Sequence, residues 1–273
     1  MNLVEKSLHS FIGKKLRMQT FNLFVIFRDD KLFSMIDPWM TLALDNGVQE
    51  IFLYVGVNGG DERRYYALPE TTFVVRSIDV YSKFYSLRKL TLECISISGD
   101  IIQKIIRNCP NLEYFELWNL LGLKTIEISK LDKLEVVVIG VPRIQELERV
   151  DIDAPNLKQF IFRSYVLRLP CSVNLTSCHH LKELVLSNCR ITDDSFHSHL
   201  SRFPLLENLD IVDCRMLRRI RISAQRLKRL ELRPGQNIEV IEIDAPTLLS
   251  FRFTAYNNMP LFFSKNVPCP MEI

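Results

Sequence analysis

Apolar residues recur along this chain with a fixed spacing: one apolar residue, two variable residues, a second apolar residue, one variable residue and a third apolar residue. Clear copies begin at Leu87, Leu112, Leu123, Leu134, Leu157, Leu181, Leu206, Leu217, Leu227 and Ile238, and weaker copies begin at Met18, Val48, Val75, Leu147 and Leu248. The last two apolar side chains of each copy point to the same face of a β-strand because they are two residues apart. One such strand cannot bury that face alone, so the pattern predicts a stack of parallel strands.

The distance between successive copies takes two values. Some copies start about 24–25 residues apart, and others start only about 10–13 residues apart. The short repeats have room only for a strand and a return loop. In the long repeats we expect the additional residues to be helical. The predicted helices are Gly99–Ile106, Thr192–Leu200 and Ser34–Asn46, the last closed by Gly47.

Two repeats match a longer template that has Asn or Cys at its ninth place: residues 181–191, with Cys189, and residues 206–216, with Cys214. A small thiol at this place can satisfy loop backbone groups inside a leucine-rich-repeat coil, so we assign both cysteines a structural role. The chain is therefore predicted to be an α/β leucine-rich-repeat solenoid. It would have a curved parallel sheet on the concave face, with helices and loops on the convex face.

Composition narrows the class of protein further. The chain has 273 residues, of which 47% are hydrophobic, and a formal net charge of only +3, so neither nucleic acid nor a membrane surface is an expected partner. Apolar runs are too short to span a bilayer or to form a secretory signal. Seven cysteines at irregular spacing favour a reducing compartment, so a cytoplasmic or nuclear location is expected.

Catalytic and metal-binding signatures are absent from the sequence, which contains no phosphate-binding glycine loop, nucleophile elbow or paired Cys-x-x-Cys motif. We therefore expect no enzymatic activity, no cofactor and no metal. The cluster Cys178-His179-His180 is interpreted as a polar turn, because adjacent residues rarely converge on one ion. His197 and His199 are expected on an exposed helix face.

The repeat register also predicts which side chains line the concave sheet, because they alternate with the inward apolar residues. In the first half this predicts an acidic and aromatic face, and in the second half a basic one. The candidate binding residues are Tyr114, Glu116, Trp118, Arg163, Arg219, Arg221, Arg229, Arg233 and Arg252, and Glu127, Asp151 and Asp153 complete the acidic part. Arg219 and Arg229 are predicted to share a column on neighbouring strands, which favours an acidic partner.

Two alternatives stay open. The next column is predicted to run Asp210, Arg221, Glu231, Glu242 and Arg252, and such alternating charges form a solvated ladder that needs no ligand. Trp118 is either an interface anchor or a cover for the apolar residues that follow it.

Several segments resemble the repeat region of plant F-box/leucine-rich-repeat proteins over roughly residues 17–255. They are Ile36–Ile51, Tyr66–Pro69 with the following 73–80 segment, Asn108–Glu113, Asp153–Leu157, Arg202–Glu207 and Asp244–Leu248. The resemblance implies a protein-interaction module that presents substrates to an SCF-type E3 ubiquitin ligase. A Skp-type adaptor and a cullin are implied partners only where the full-length chain carries an F-box.

The F-box is not visible in this sequence, since only about sixteen residues precede the first repeat, too few for a three-helix module. We expect residues 1–16 to be a short N-terminal segment, residues 17–255 to be the solenoid and residues 256–273 to be a C-terminal tail or cap. Two other functions are compatible with the sequence. One is a stand-alone scaffold or decoy without ligase coupling, and the other is a hormone-like small-molecule sensor on the basic face.

Overall fold

The computed structural model describes residues 18–27, 30–57, 65–73, 84–143, 147–165, 171–254 and 259–268. The predicted N-terminal segment 1–16 and the repeat that begins at Val75 lie outside these residues. The chain divides into two compact units, which are described separately below. Unit 1 contains residues 1–123 and 130–134, and unit 2 contains residues 124–129 and 135–273.

Short strands dominate both units. In chain order the strands are β1 (Thr20–Phe27), β2 (Glu50–Val57), β3 (Tyr66–Ala67), β4 (Lys89–Glu93), β5 (Ile95–Ser96), β6 (Tyr114–Trp118), β7 (Thr125–Ser129), β8 (Val136–Val141), β9 (Arg149–Asp153), β10 (Gln159–Ser164), β11 (Cys171–Thr176), β12 (Glu183–Ser187), β13 (Cys189–Arg190), β14 (Asn208–Val212), β15 (Arg219–Ser223), β16 (Arg229–Arg233), β17 (Val240–Asp244), β18 (Ser250–Phe253) and β19 (Leu261–Lys265).

Helices form at the three places where the sequence predicts them. They are α1 (Ile36–Asp45), which follows a 3₁₀ helix at Asp30–Met35, α2 (Gly99–Asn108) and α3 (Asp193–Leu200). The predicted start of α1 at Ser34 is two residues too early, because the 3₁₀ helix occupies that turn. The hydroxyls of Ser98 and Thr192 cap α2 and α3 by accepting backbone N–H groups three residues later.

In unit 1, strands β1, β2, β4 and β6 pair side by side in that order, all parallel. We call them the front strands of unit 1. Phe21, Ile51, Leu90 and Phe115 share one row of this register, and all four are buried. Behind them, the short strands β3 and β5 pair with each other.

In unit 2, the front strands are β8, β10, β12, β14, β16 and β18, again parallel and paired in that order. The strands between them in sequence belong to two other sheets, which we call the rear strands. One rear sheet pairs β7, β9, β11 and β13, and the other pairs β15, β17 and β19.

This alternation corrects the prediction that each short repeat adds a strand to a single sheet. A full coil in unit 2 contains one front strand, a turn, one rear strand and a return. Leu206, Leu227 and Leu248 begin successive front repeats and are 21 residues apart, so the 10–13-residue spacing is half a coil. The pattern of three apolar residues cannot distinguish the two sheets, because strands on either side of the core bury the same face.

The expectation of helix in every long repeat is wrong for the interval between Leu157 and Leu181. It contains strand β11, whose Cys171, Val173 and Leu175 are buried and which pairs with β9 and β13. Rear strands likewise replace most of the helices and loops that were expected on the convex side. The predicted leucine-rich-repeat solenoid itself is confirmed by the parallel strand order within each unit.

A left-handed residue follows seven of the strands and turns the chain out of the sheet. Cys94, Asn119, Lys130, Ser177, Asn188, Asp213 and Asn266 all have φ between 49° and 62°. Asn and Asp tolerate this conformation better than other residues, because their short polar side chains bond locally. Cys94, Lys130 and Ser177 hold it without that advantage.

Candidate binding surface

The outer face of the front strands in each unit is the candidate binding surface, because its side chains alternate with the buried apolar rows. In unit 1, the strand register places the outward residues in columns. One column contains Phe24, Tyr54, Glu93 and Trp118 in neighbouring positions. The predicted candidates Tyr114, Glu116 and Trp118 all lie on this face, on β6.

Glu116 is the centre of the polar contacts in unit 1. Its Oε2 accepts hydrogen bonds from the Tyr114 hydroxyl at 2.9 Å and from the Thr91 hydroxyl at 3.3 Å. The ammonium group of Lys89 lies 4.4 Å from the centre of the Tyr114 ring. Burial and the hydrogen bond to Glu116 raise the pKa of Tyr114 to about 12, so the phenol stays protonated and remains a donor at neutral pH.

Glu93 lies diagonally across from Glu116 and is half-buried. Burial, and in second place the charge of Glu116, raise the pKa of the Glu93 carboxyl above its usual range. Neither carboxylate forms an ion pair with any residue that the structure describes. The sequence interpretation did not single out Tyr54 and Glu93, although the same alternation on β2 and β4 marks both as outward residues.

In unit 2, the front face carries four of the six predicted arginines: Arg163, Arg229, Arg233 and Arg252. They surround two carboxylates, Asp210 on β14 and Glu231 on β16, which are direct neighbours in the strand register. Glu231 forms ion pairs with Arg233 at 3.2 Å and with Arg252 at 3.7 Å. The basic character of this face is therefore partly neutralised from within.

Asp210 is the most constrained of these groups. Its Oδ1 is buried and has no hydrogen-bond partner among the described residues. Burial first, and then the neighbouring Glu231, raise the pKa of Asp210, although nearby arginines act in the opposite direction. Like charges on adjacent strands oppose each other in this way.

The other two predicted arginines, Arg219 and Arg221, lie on the rear strand β15. Arg219 neighbours Val240 of β17, whereas Arg229 neighbours Asn208 and Ser250 of the front sheet. The predicted column that joins Arg219 to Arg229 is therefore wrong, because consecutive strands alternate between sheets.

The predicted charge ladder is wrong for the same reason and separates into two columns. The front column contains Asp210, Glu231 and Arg252, and the rear column pairs Arg221 with Glu242, whose charged atoms are 3.2 Å apart. Three acidic residues that were expected on the concave face also lie on rear strands: Glu127, Asp151 and Asp153.

A cleft of about 550 Å³ lies on the rear side of unit 2. It is lined by Arg221, Glu242, Asp244, Phe263 and Lys265 from the rear sheet, together with His197 of α3. Arg221 and Glu242 form an ion pair in this cleft at 3.2 Å.

Cys189 and Cys214 lie inside unit 2, both buried, with their sulfur atoms 3.4 Å apart. The Cys214 thiol also lies within hydrogen-bonding distance of the carbonyls of Val212 and Leu186, at 3.5 and 3.7 Å. The thiol–thiol contact and burial raise the pKa of Cys189 well above its usual value. A buried thiol with a raised pKa, such as that of Cys189, is unreactive and suits a role in packing.

Three histidines, His179, His180 and His199, contact backbone or side-chain groups of the chain itself. His179 and His180 each place Nδ1 near a backbone carbonyl, of Arg202 at 3.3 Å and Pro155 at 2.9 Å. His197 is exposed as expected, but His199 is buried, and burial lowers its pKa. The described part of the chain contains no cluster of metal-type ligands, and none of its helices is long and apolar enough to cross a bilayer.

Two family models match this chain, one over its first part and one over its last part. The model described as FBD-associated F-box protein At5g56370, LRR repeats, matches residues 36–177, which is 142 of the 273 residues. The model described as At1g61320/AtMIF1, LRR domain, matches residues 165–270.

Individual relatives come from Arabidopsis thaliana. F-box/LRR-repeat protein At3g03360 is 23% identical over 232 residues, covering 78% of this chain and 46% of that protein. F-box/LRR-repeat protein 25 is 26% identical over 198 residues, covering 64% of this chain and 75% of that protein. FBD-associated F-box protein At1g61320 is 24% identical over 207 residues, covering 70% of this chain and 42% of that protein. The chain thus spans somewhat less than half of two of these relatives and three quarters of the third.

Proposed function

Because the chain belongs to the plant F-box/leucine-rich-repeat family, we propose that it is the substrate-recognition region of an SCF-type E3 ubiquitin ligase. In this proposal the region acts by binding a protein substrate and performs no catalysis itself. A Skp-type adaptor and a cullin join the complex through an F-box where the full-length protein carries one. The proposal places the protein in the cytoplasm or the nucleus.

The chemistry of the front faces is the observation that carries the proposal. Unit 1 presents Tyr54, Tyr114 and Trp118 on the outer face of its front strands, and unit 2 presents arginines. Tyrosine, tryptophan and arginine are the residues that contribute most to protein interfaces, since they bury large areas and retain a polar group. Rigid parallel strands hold them in fixed columns, which lowers the entropy cost of binding.

Purification of the tagged full-length gene product from plant cells tests this proposal. Treating the cells with a proteasome inhibitor should preserve substrates that would otherwise be degraded. We expect a Skp-type adaptor and a cullin to copurify, together with proteins that carry ubiquitin. Recovery of bound proteins without any adaptor or cullin would instead support the stand-alone scaffold and would reject ligase coupling.

The observation that suggested a hormone-like sensor no longer supports that function. That alternative depended on Arg219 and Arg229 as adjacent cations on one floor, and the two residues lie in different sheets. Two of the four front arginines, Arg233 and Arg252, form ion pairs with Glu231, which reduces their capacity for an anionic ligand.

A further inference from the structure

One outward column of the unit 1 front strands combines aromatic rings with a carboxylate. Its members, Phe24, Tyr54, Glu93 and Trp118, occupy neighbouring register positions on four adjacent parallel strands. Adjacent strands are about 4.8 Å apart, so Tyr54 and Trp118 flank Glu93 on its two sides. We call these four residues the aromatic–acidic column.

The Phe24–Tyr54 half of the column is ordered by a ring contact. The rings of Phe24 and Tyr54 stack with their centres 4.3 Å apart and their planes 11° apart. Phe24 nevertheless remains 63% exposed, so a large part of this aromatic surface faces solvent. An exposed and pre-ordered ring loses little side-chain entropy when a partner binds.

The charge of this face is unbalanced. Glu93 and Glu116 are close enough that the charge of Glu116 raises the pKa of the Glu93 carboxyl, in addition to the effect of burial. Among the residues that the structure describes, neither forms an ion pair, and the nearby Lys89 is directed over the Tyr114 ring. A half-buried carboxylate beside another carboxylate is stabilised by a cation from outside.

From this geometry we infer that the aromatic–acidic column binds an arginine side chain of a partner protein. A guanidinium group is planar, so it stacks on an aromatic face and at the same time donates two parallel N–H groups to a carboxylate. Glu93 supplies the carboxylate, and Trp118 supplies the ring. The contact between Lys89 and Tyr114 is an internal example of the same cation–π chemistry two columns away.

This inference rests on the proposed function, because it names the chemistry of the protein segment that the front face recognises. It is nevertheless testable without the ligase. The probes are fluorescein-labelled peptides with three arginines in a glycine–serine background, and matched peptides in which citrulline or lysine replaces arginine. Citrulline keeps the shape of arginine and removes its charge.

Binding is measured by fluorescence anisotropy at low salt, and by the two indole N–H resonances of ¹⁵N-labelled protein. The chain has two tryptophans, and Trp39 is buried at 4% exposure, so its resonance is an internal control for Trp118. We expect the arginine peptide to shift the Trp118 resonance alone. We expect citrulline to weaken binding about tenfold, which corresponds to the loss of one charge-assisted contact.

The variant Glu93→Gln should weaken the arginine peptide by a similar factor, and Trp118→Leu should weaken it further. The matched control is Glu113→Gln, which removes the same charge from a solvent-exposed pair with Arg88 and should change affinity less than twofold. Circular dichroism and the Trp39 resonance show whether each variant is folded.

Equal binding of the arginine and citrulline peptides would overturn the inference, as would equal effects of Glu93→Gln and Glu113→Gln. Binding of the lysine peptide as tightly as the arginine peptide would reject the guanidinium assignment. The peptide assay contains no ligase component. A negative peptide result therefore leaves the copurification result unaffected, and a negative copurification leaves the peptide result unaffected.

Discussion

Replacing Asp210 with asparagine should stabilise unit 2 at neutral pH. Asp210 on β14 is the direct neighbour of Glu231 on β16, and its Oδ1 is buried without a hydrogen-bond partner among the described residues. Burial and Glu231 together raise the pKa of Asp210, which means that the folded state disfavours the ionised form. Asparagine keeps the size and shape of the side chain and removes the charge.

The size of the effect follows from the geometry. Like charges directly opposite each other in a sheet cost about 0.2–1 kcal/mol. Asp210 is only half-buried, so solvent screening reduces this cost, and we expect the variant to gain roughly 0.5 kcal/mol at pH 7. Since the folded pKa lies above the unfolded pKa, the cost is absent when Asp210 is protonated in both states. It develops as the pH rises from below the unfolded pKa through the folded pKa.

Urea unfolding at several pH values between about 3 and 7, at low salt, measures this difference. Glu242→Gln is the matched control, because Glu242 neighbours a cation, Arg221, at 3.2 Å. The same loss of charge there should cost about 0–1 kcal/mol at pH 7. If Asp210→Asn destabilises the protein at pH 7, the nearby arginines dominate the local field and the reasoning is refuted.

Three further changes test the packing, the turns and the interior thiols. Leu230→Ala should cost about 2–5 kcal/mol in urea unfolding, since Leu230 is fully buried between Leu209 and Phe251 of the adjacent front strands. Lys130→Gly should stabilise the protein by about 0.5 kcal/mol in the same assay, because Lys130 is exposed and has a left-handed φ of 62°. An unchanged or lower urea midpoint would show that this turn is not strained. Cys189 should resist alkylation by iodoacetamide at pH 8 until the protein unfolds, as mass spectrometry of trypsin-digested samples would show, and rapid labelling of the native protein would contradict its burial.

The sequence was sufficient to predict the three helices and most of the strands, because the apolar spacing and the caps are local signals. Leu184 and Leu186, for example, lie in β12, and Leu181 lies just before it, as their spacing requires. The residues Ser98 and Thr192 likewise mark the starts of α2 and α3. Strand β11 was not among the predicted strands.

The assignment of strands to sheets could not be predicted in the same way. A strand of the front sheet and a strand of the rear sheet both bury alternate residues in one core, so β15 and β16 have the same pattern. The rows of Arg219 and Arg229 depend on which strands pair, and pairing is a long-range property. The prediction for Tyr114, Glu116 and Trp118 agrees with the structure because β6 is one of the front strands.

His199 shows a smaller failure with the same cause. Its helix was correctly predicted, but its burial depends on contacts with residues distant in sequence. The ring stacks on Phe203, and Nε2 lies 3.5 Å from Oδ1 of Asn174 on β11, the strand that the repeat pattern did not reveal.

The central claim is that this repeat region recognises proteins with the outer faces of its front strands. The most direct test compares two variants of the tagged full-length protein purified from plant cells: a front-face variant with Trp118→Leu and Arg229→Glu, and a rear-face variant with Arg219→Glu and Arg221→Glu. We predict that the front-face variant loses most of the bound substrate proteins and keeps the Skp-type adaptor, while the rear-face variant keeps both. Loss of substrates from the rear-face variant, with the front-face variant unaffected, would contradict the claim.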